Sequence, residues 1–379
     1  MNKIAFLTVA MSLILAGCSS NEIKELEPAE LEDIDFSVEL DETWSFGLGD
    51  LREHDATRFQ PVIVGDQLFV ADASGAVYAL DKKTGRENWE VELENNITSG
   101  VSATEDKLIL GTDKGELILL SQSDGQVVWT VQLSEEILSI AQAKNDLITV
   151  QTTGGRLYGI ELEDGARRWV YEVTMPSLTV RGTASPINQG EVSIAGFSTG
   201  RIAVIDNEKG GMIWEKPVSL PKGKTELERV VDVDSTPLLV NDVIYAAAYQ
   251  GELAAFRLYT AKKIWSKPLS TLNDLALDGN QVFATDLTSK IHALDTATGA
   301  NIWTQESLHH RKLNAPVVWG DYLLVADYEG YLHIISKTSG KLLGRERPVS
   351  DAVGSSILVS EEMIYVISND GQLVAMTQE

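Results

Sequence analysis

The stretch GAVYALDKKTGRENW, residues 75–89, contains a glycine turn, a short apolar strand, a polar turn ending in Thr84-Gly85, and a tryptophan. The same fourteen-residue interval from glycine to tryptophan recurs at Gly115 to Trp129, Gly155 to Trp169, Gly200 to Trp214 and Gly251 to Trp265. A sixth copy has Ser289 in the glycine place and ends at Trp303. A seventh starts at Gly330 with Gly344 in the tryptophan place, and an eighth starts at Gly371. Self-similarity at a period of about 40 residues indicates a repeat architecture.

Within one unit the apolar runs 61–64 and 67–71 flank Gly65-Asp66, and a third run, 76–80, precedes the Thr84-Gly85 turn and the tryptophan strand. These are strand and turn signals. Four short antiparallel strands per repeat make a propeller blade, a sheet that must stack on its neighbours and that radial closure leaves with few open edges. Glycine at 75, 115, 155, 200, 251, 330 and 371 is expected to supply positive φ at a tight turn. Ala79, Gly159, Ala255, Ala293 and Ala375 are small residues on the third strand, expected to let blades approach near the axis. The tryptophans offer flat faces for the widening gap between blades, and one in every blade is what packing requires.

Counting fourteen from Gly371 passes the last residue, Glu379, so the final unit lacks its fourth strand. Trp44, in Thr43-Trp44-Ser45-Phe46, is a tryptophan strand with no preceding unit. Together they complete one blade. The expectation is an all-β, eight-bladed propeller over residues 43–379, closed by the strand around Trp44 against the strand near 372–376.

The chain carries 56 Asp and Glu against 31 Lys and Arg, a net charge of −25. Such a surface opposes non-specific binding to nucleic acid or to an anionic lipid face. At the N-terminus, Lys3 is followed by the apolar run 4–16, too short to span a bilayer, which reads as the core of a signal peptide. Cys18 is the one cysteine, so no intramolecular disulfide forms. Leu15-Ala16-Gly17-Cys18 resembles the lipobox of bacterial lipoproteins, which implies cleavage before Cys18 and diacylation of its thiol. Ser19 in the next place implies sorting to the outer membrane, facing the periplasm. Residues 1–17 are thus expected to be a signal peptide and 18–42 a lipidated tether. That tether carries ten acids against Lys24 alone, so it should repel itself, bury little and extend.

The pattern A-L-D-x-x-T-G-x-x-x-W at residues 79–89 and 293–303 resembles the tryptophan-docking repeats of pyrroloquinoline-quinone dehydrogenase propellers. With a lipobox and eight such repeats in a chain this short, the sequence as a whole resembles the BamB family, lipoproteins of the outer-membrane β-barrel assembly machine. The first likeness implies a quinone-dependent dehydrogenase, with a Lewis-acid metal, an oxygen-rich ligand set and a catalytic carboxylate. The adjacent cysteine pair of those enzymes is absent, and Asp232-Val233-Asp234 lacks the glycine and following acids of an EF-hand loop. His309 and His310 are neighbours in a loop, and adjacent residues rarely converge on one ion. No catalytic, cofactor-binding or metal-binding residue is assigned, and the enzyme remains the competing reading.

Because the glycine-to-tryptophan interval is constant, length variation falls between a tryptophan and the next glycine. That spacing is 26 after Trp89 and Trp129, 31 after Trp169 and 37 after Trp214. Equivalent connections emerge on one end of a propeller, so the two long ones crowd one surface. The first holds Met175-Pro176-Ser177-Leu178-Thr179-Val180-Arg181-Gly182, and the second holds residues 221–234, in which apolar and charged residues alternate. Such loops serve protein recognition, apolar groups for burial and charges for orientation. Alternatively, Leu178 and Val180 tuck under the loop and Arg181 pairs internally with Asp232 or Asp234.

The BamB likeness implies that M-P-S-L-x-[LV]-R-G-x-x-[SA]-P and R-x-x-D-V-D-x-T-P carry the surface that docks on the periplasmic polypeptide-transport repeats of the barrel-inserting subunit, BamA. In this chain those positions are Leu178, Val180, Arg181, Asp232 and Asp234. It also implies contact with the other subunits of the machine, with nascent outer-membrane proteins, and with the membrane through the lipid alone. The open side of each outermost strand is a place where a client strand can add. A third long connection, 31 residues from Trp44 to Gly75, contains Leu51-Arg52-Glu53-His54 and lies about opposite the other two; no function is assigned to it.

Overall fold

The computed structural model describes residues 27–34, 36–49, 51, 58–180, 182–354 and 356–378. Each repeat contributes a run of apolar residues that is buried on both sides, because blades stack face to face. In the first blade, Leu68, Phe69 and Val70 of Gln67–Ala71 and Val77, Ala79 and Leu80 of Ala76–Asp81 are within 1% of full burial. The outer strand Glu87–Glu92 instead alternates exposed and half-buried residues, as its position at the rim dictates.

Eight sheets result, ordered from the axis outward in chain order except for blade 8, whose outermost strand is the earlier Leu40–Gly47. Their innermost strands are Val62–Val64, Ile97–Ala103, Gln142–Lys144, Ile187–Asn188, Leu238–Val240, Ala276–Asp278, Val317–Trp319 and Leu358–Ser360, which begin blades 1 to 8. Ring closure is as expected: Leu40–Gly47 pairs antiparallel with Gln372–Gln378, with Trp44 opposite Ala375. Blade 2 departs from four strands. Arg58–Phe59 joins its inner edge in parallel, Arg58 opposite Ser99 and Phe59 opposite Gly100.

The tryptophans join neighbouring blades. The indole N–H donates to a carbonyl in the third-to-fourth turn of the next blade: Trp44 to Lys82, Trp89 to Gln122, Trp129 to Leu162, Trp169 to Asn207, Trp214 to Leu258, Trp265 to Thr296 and Trp303 to Lys337, at 2.6–3.2 Å. The glycine of that turn then lies close on the indole wherever the turn has one. A Cβ on Gly85 would stand 2.4 Å from Trp44, and one on Gly210 2.5 Å from Trp169.

Blade 7 has Gly344 because its neighbour has no such turn: the third and fourth strands of blade 8, Gln372–Gln378 and Leu40–Gly47, are not consecutive in the chain. The space is filled by the N-terminal segment, whose Ser37 and Val38 amides donate to the Leu343 carbonyl, and a Cβ on Gly344 would meet the Val38 carbonyl at 2.4 Å.

Two expectations need correction. The small third-strand residues are not near the axis; they lie one strand in from the rim, opposite a tryptophan, as Ala79 is to Trp89 and Gly159 to Trp169. They make room for the indole, since a Cβ on Gly159 would stand 2.2 Å from the Trp169 ring. Gly251 does not carry positive φ; Gln250 before it does, at 48°.

The acidic segment also differs from an extended, solvated tether. Ala29 and Val38 are buried, Leu31 packs against the core between blades 6 and 7, and the Ala29 amide donates to the His309 carbonyl at 2.9 Å. Arg311 and Arg345 donate to the Ala29 and Glu32 carbonyls at 3.0 and 3.1 Å. Cys18 and the signal-peptide stretch lie outside the described residues.

Candidate partner-docking surface

Connections between blades share one end of the ring with the second-to-third turns, as the Leu93 amide on the Gly75 carbonyl illustrates. The two long connections meet there. Gly200 and Gly196 leave space that the second connection fills with Val231 and Val233, both within the apolar core of blades 4 and 5. The alternating sequence then turns Asp232 and Asp234 the other way, toward the first connection. The Asp232 carboxylate accepts the Val180 amide, and a Cβ on Gly182 would stand 3.1 Å from Asp234 Oδ2. Arg181, between those two contact points in the chain, lies outside the described residues.

Of the five residues singled out for docking, the described four separate into two kinds. Leu178 is 45% exposed and Val180 half-buried, whereas Asp232 and Asp234 are 0% and 3% exposed. The carboxylates therefore hold the loop rather than present themselves at the surface. Burial pushes Asp232 up to about 6. Burial, reinforced by the Asp232 charge and opposed by Arg58, pushes Asp234 up to about 7. Asp234 Oδ2 has no hydrogen-bond partner among the described residues.

Two leucines of the second connection were not singled out from sequence. Leu220 and Leu227 are 57% and 72% exposed, and Leu227 opens a single 3₁₀ turn, Leu227–Arg229, stapled by the Glu228 carboxylate on the Lys224 and Thr225 amides. Apolar side chains that a compact turn leaves outside are a signal that alternation alone did not separate from core residues.

The third long connection reaches the second across the axis. Arg58 donates to the Asp234 carbonyl at 2.5 Å and pairs with Asp274 at 3.5 Å, while Asp274 accepts the Thr236 amide at 2.6 Å. Arg58 and Asp274 border an axial cavity of about 180 Å³. Arg52, Glu53 and His54 of that connection lie outside the described residues, and Leu51 is buried.

Among the described residues no three His, Cys, Asp or Glu side chains are grouped closely enough to share a metal ion, and no helix is long and apolar enough to cross a membrane. His309 and His310 stack edge to face, rings 5.5 Å apart.

A sequence-family profile described as outer membrane protein assembly factor BamB matches residues 41–99, 73–305 and 287–379. The assembly factor BamB of Pseudomonas aeruginosa is 46% identical over 97% of both chains, and that of Escherichia coli K12 is 32% identical over 96% of both. The crystal structure of BamB from Moraxella catarrhalis superposes with a TM-score of 0.81 at 28% identity, over 89% of this chain and 99% of that one. A europium-containing methanol dehydrogenase superposes at 0.74 with 13% identity, over 89% and 93%, a likeness of fold alone.

Proposed function

Because the chain belongs to the BamB family of outer membrane protein assembly factors, we propose that it is a non-enzymatic scaffold lipoprotein, anchored through Cys18 to the periplasmic side of the outer membrane. It binds the periplasmic polypeptide-transport repeats of BamA through its two long inter-blade connections, joins the other subunits through that contact, and assists delivery and insertion of barrel proteins. The observation that carries this reading is the pinning of one long connection by the other, Val180 on Asp232, with Leu178 left exposed beside it. A loop held by its neighbour loses little conformational freedom when a partner arrives, so more of the contact energy remains as affinity.

In this arrangement Leu178, Val180 and Arg181 touch the partner, and Asp232 and Asp234 position them. Nascent strands have a second place to bind. The outer strand of blade 2, Val127–Gln132, holds no charged residue and exposes Val127 and Val128 at 52% and 45%, so its open edge can add an extended client segment.

The test is co-purification of BamA with Leu178→Asp and with Arg181→Glu. Each should weaken capture at least tenfold while the circular dichroism and melting temperature stay those of the parent chain. Full capture by both folded variants would refute the surface.

A further inference from the structure

The docked acidic segment bears on how this molecule sits at a membrane, an inference that rests on the lipid anchor at Cys18. Residues 27–34 and 36–39 descend along the outer strand of blade 7, Leu342–Glu346. Ala29 is fixed at the blade 6-to-7 connection by its two backbone bonds, to the His309 carbonyl and from Arg311. Farther down, Arg345 holds the Glu32 carbonyl and Leu343 accepts Ser37 and Val38. The receiving surface is built for this. Arg311 is 3% exposed, bonded to buried Asp327 at 2.7 Å, paired with Glu329, and set over the rings of Tyr328 and Tyr331. Asp327 in turn holds buried His333 at 3.0 Å.

An acidic segment that would repel itself in water is thus received by two arginines aimed at its carbonyls and by pockets for Ala29, Leu31 and Val38. The docking changes the length of the leash. From Cys18 to Ala29 is eleven residues, a reach of at most about 40 Å; a segment free as far as Thr43 would reach about 90 Å.

We propose that residues 27–39 are an orienting strap: they move the point where the anchor leaves the propeller to the rim between blades 6 and 7, on the end that carries the long connections. That end is held toward the lipid surface and the opposite end, with its third-to-fourth turns, away from it. The short leash raises the effective concentration of the docking loops for a membrane-embedded partner within its reach, because effective concentration falls as a tether lengthens beyond the span it must cover.

The lipidated full chain, bound to phosphatidylethanolamine and phosphatidylglycerol vesicles carrying an acceptor dye on the headgroup, tests this by energy transfer. With Cys18 acylated, one added cysteine takes the donor: Leu287→Cys on the connection end, or Tyr259→Cys on the opposite end, where the side chains are 48% and 77% exposed. Transfer from position 287 should exceed that from 259 at least twofold. Equal transfer, or the reverse order, overturns the proposal.

Inserting fourteen Gly and Ser residues between Leu26 and Glu27 leaves the strap intact and lengthens the leash. It should lower transfer at both positions and shrink the contrast, and unchanged transfer overturns the proposal. Leu31→Asp with Arg345→Ala should expose the Ala29 and Val38 amides to hydrogen exchange and abolish the contrast; a contrast that survives their exposure overturns it. Flotation with the vesicles separates the two levels, since a chain that does not float refutes the anchor itself, whereas a floating chain with equal transfer refutes only the strap.

Discussion

Replacing Gly210 by alanine should destabilise the ring by about 1–5 kcal/mol, and the molecule contains its own control. Gly210 has φ 69° and lies on the indole of Trp169, where an added Cβ would stand 2.5 Å from the Trp169 Cβ. Left-handed backbone costs a residue with a Cβ about 1–2 kcal/mol. Forcing a methyl into a filled contact costs about 1–3 kcal/mol more. Stiffening of the unfolded chain returns only about 0.4–1 kcal/mol. In blade 5 the corresponding turn residue is already alanine: Ala261, at φ 55°, two residues after the exposed Tyr259. There Ala261→Gly relieves the same left-handed strain, so after the unfolded-state term it should change stability by about 0 to 1 kcal/mol in the favourable direction. Urea unfolding followed by tryptophan fluorescence reads both, and the midpoint should move while the slope m stays constant. A Gly210→Ala chain within about 0.5 kcal/mol of the parent would refute the account of these turns as indole platforms, that being the usual scatter of surface substitutions.

Gly344→Trp restores the repeat where the ring lacks it, yet it should destabilise the protein and expose the Val38 amide to hydrogen exchange, because the Val38 carbonyl already fills the site; a more stable chain with Val38 still protected would contradict this. For the buried carboxylates the sign follows from their direction. Asp232 and Asp234 are raised to about 6 and about 7 when folded, against about 3.9 unfolded, so the folded state keeps protons that the unfolded chain has lost. Their contribution is greatest below pH about 4 and falls as pH rises through the folded values. Asp234→Asn should flatten that fall by up to about 1.4 kcal/mol per pH unit between pH 4.5 and 7. Parallel urea profiles for the two chains across that range would show that Asp234 does not titrate there.

The ring was legible because its signals are local and repeated. The interval from Gly75 to Trp89 sets strand and turn lengths at every blade, and counting it to the end of the chain pairs Trp44 with the last strand. Loop lengths likewise identified the two connections that meet through Val180 and Asp232. What escaped depends on distant surfaces. Alternation in Val231-Asp232-Val233-Asp234 says which residues face apart, but not that both faces are covered: Val231 and Val233 enter the core of blades 4 and 5, and Asp232 and Asp234 lie against Val180 and Gly182. Net charge misled for residues 27–39, because it counts the segment's own repulsion and not Arg311 and Arg345, about 280 and 310 positions away. Gly344 looked like a lapse in the repeat until the missing turn of blade 8 explained it.

With the proposed anchor at Cys18, the strand that closes the ring is also the one tied to the membrane, so any pull on the lipid would load the latch. Leu40–Gly47 begins at the far end of blade 8, with Leu40 opposite Gln378. A force delivered straight to Leu40 would unzip that ladder one pair at a time, the weakest way to load a sheet. The docked segment diverts it: tension enters at Ala29, and the bonds to His309, Arg311, Arg345 and Leu343 must part before any of it reaches Leu40. On a lipid-anchored chain those contacts would act as a strain relief, a sacrificial clamp that parts before the propeller opens.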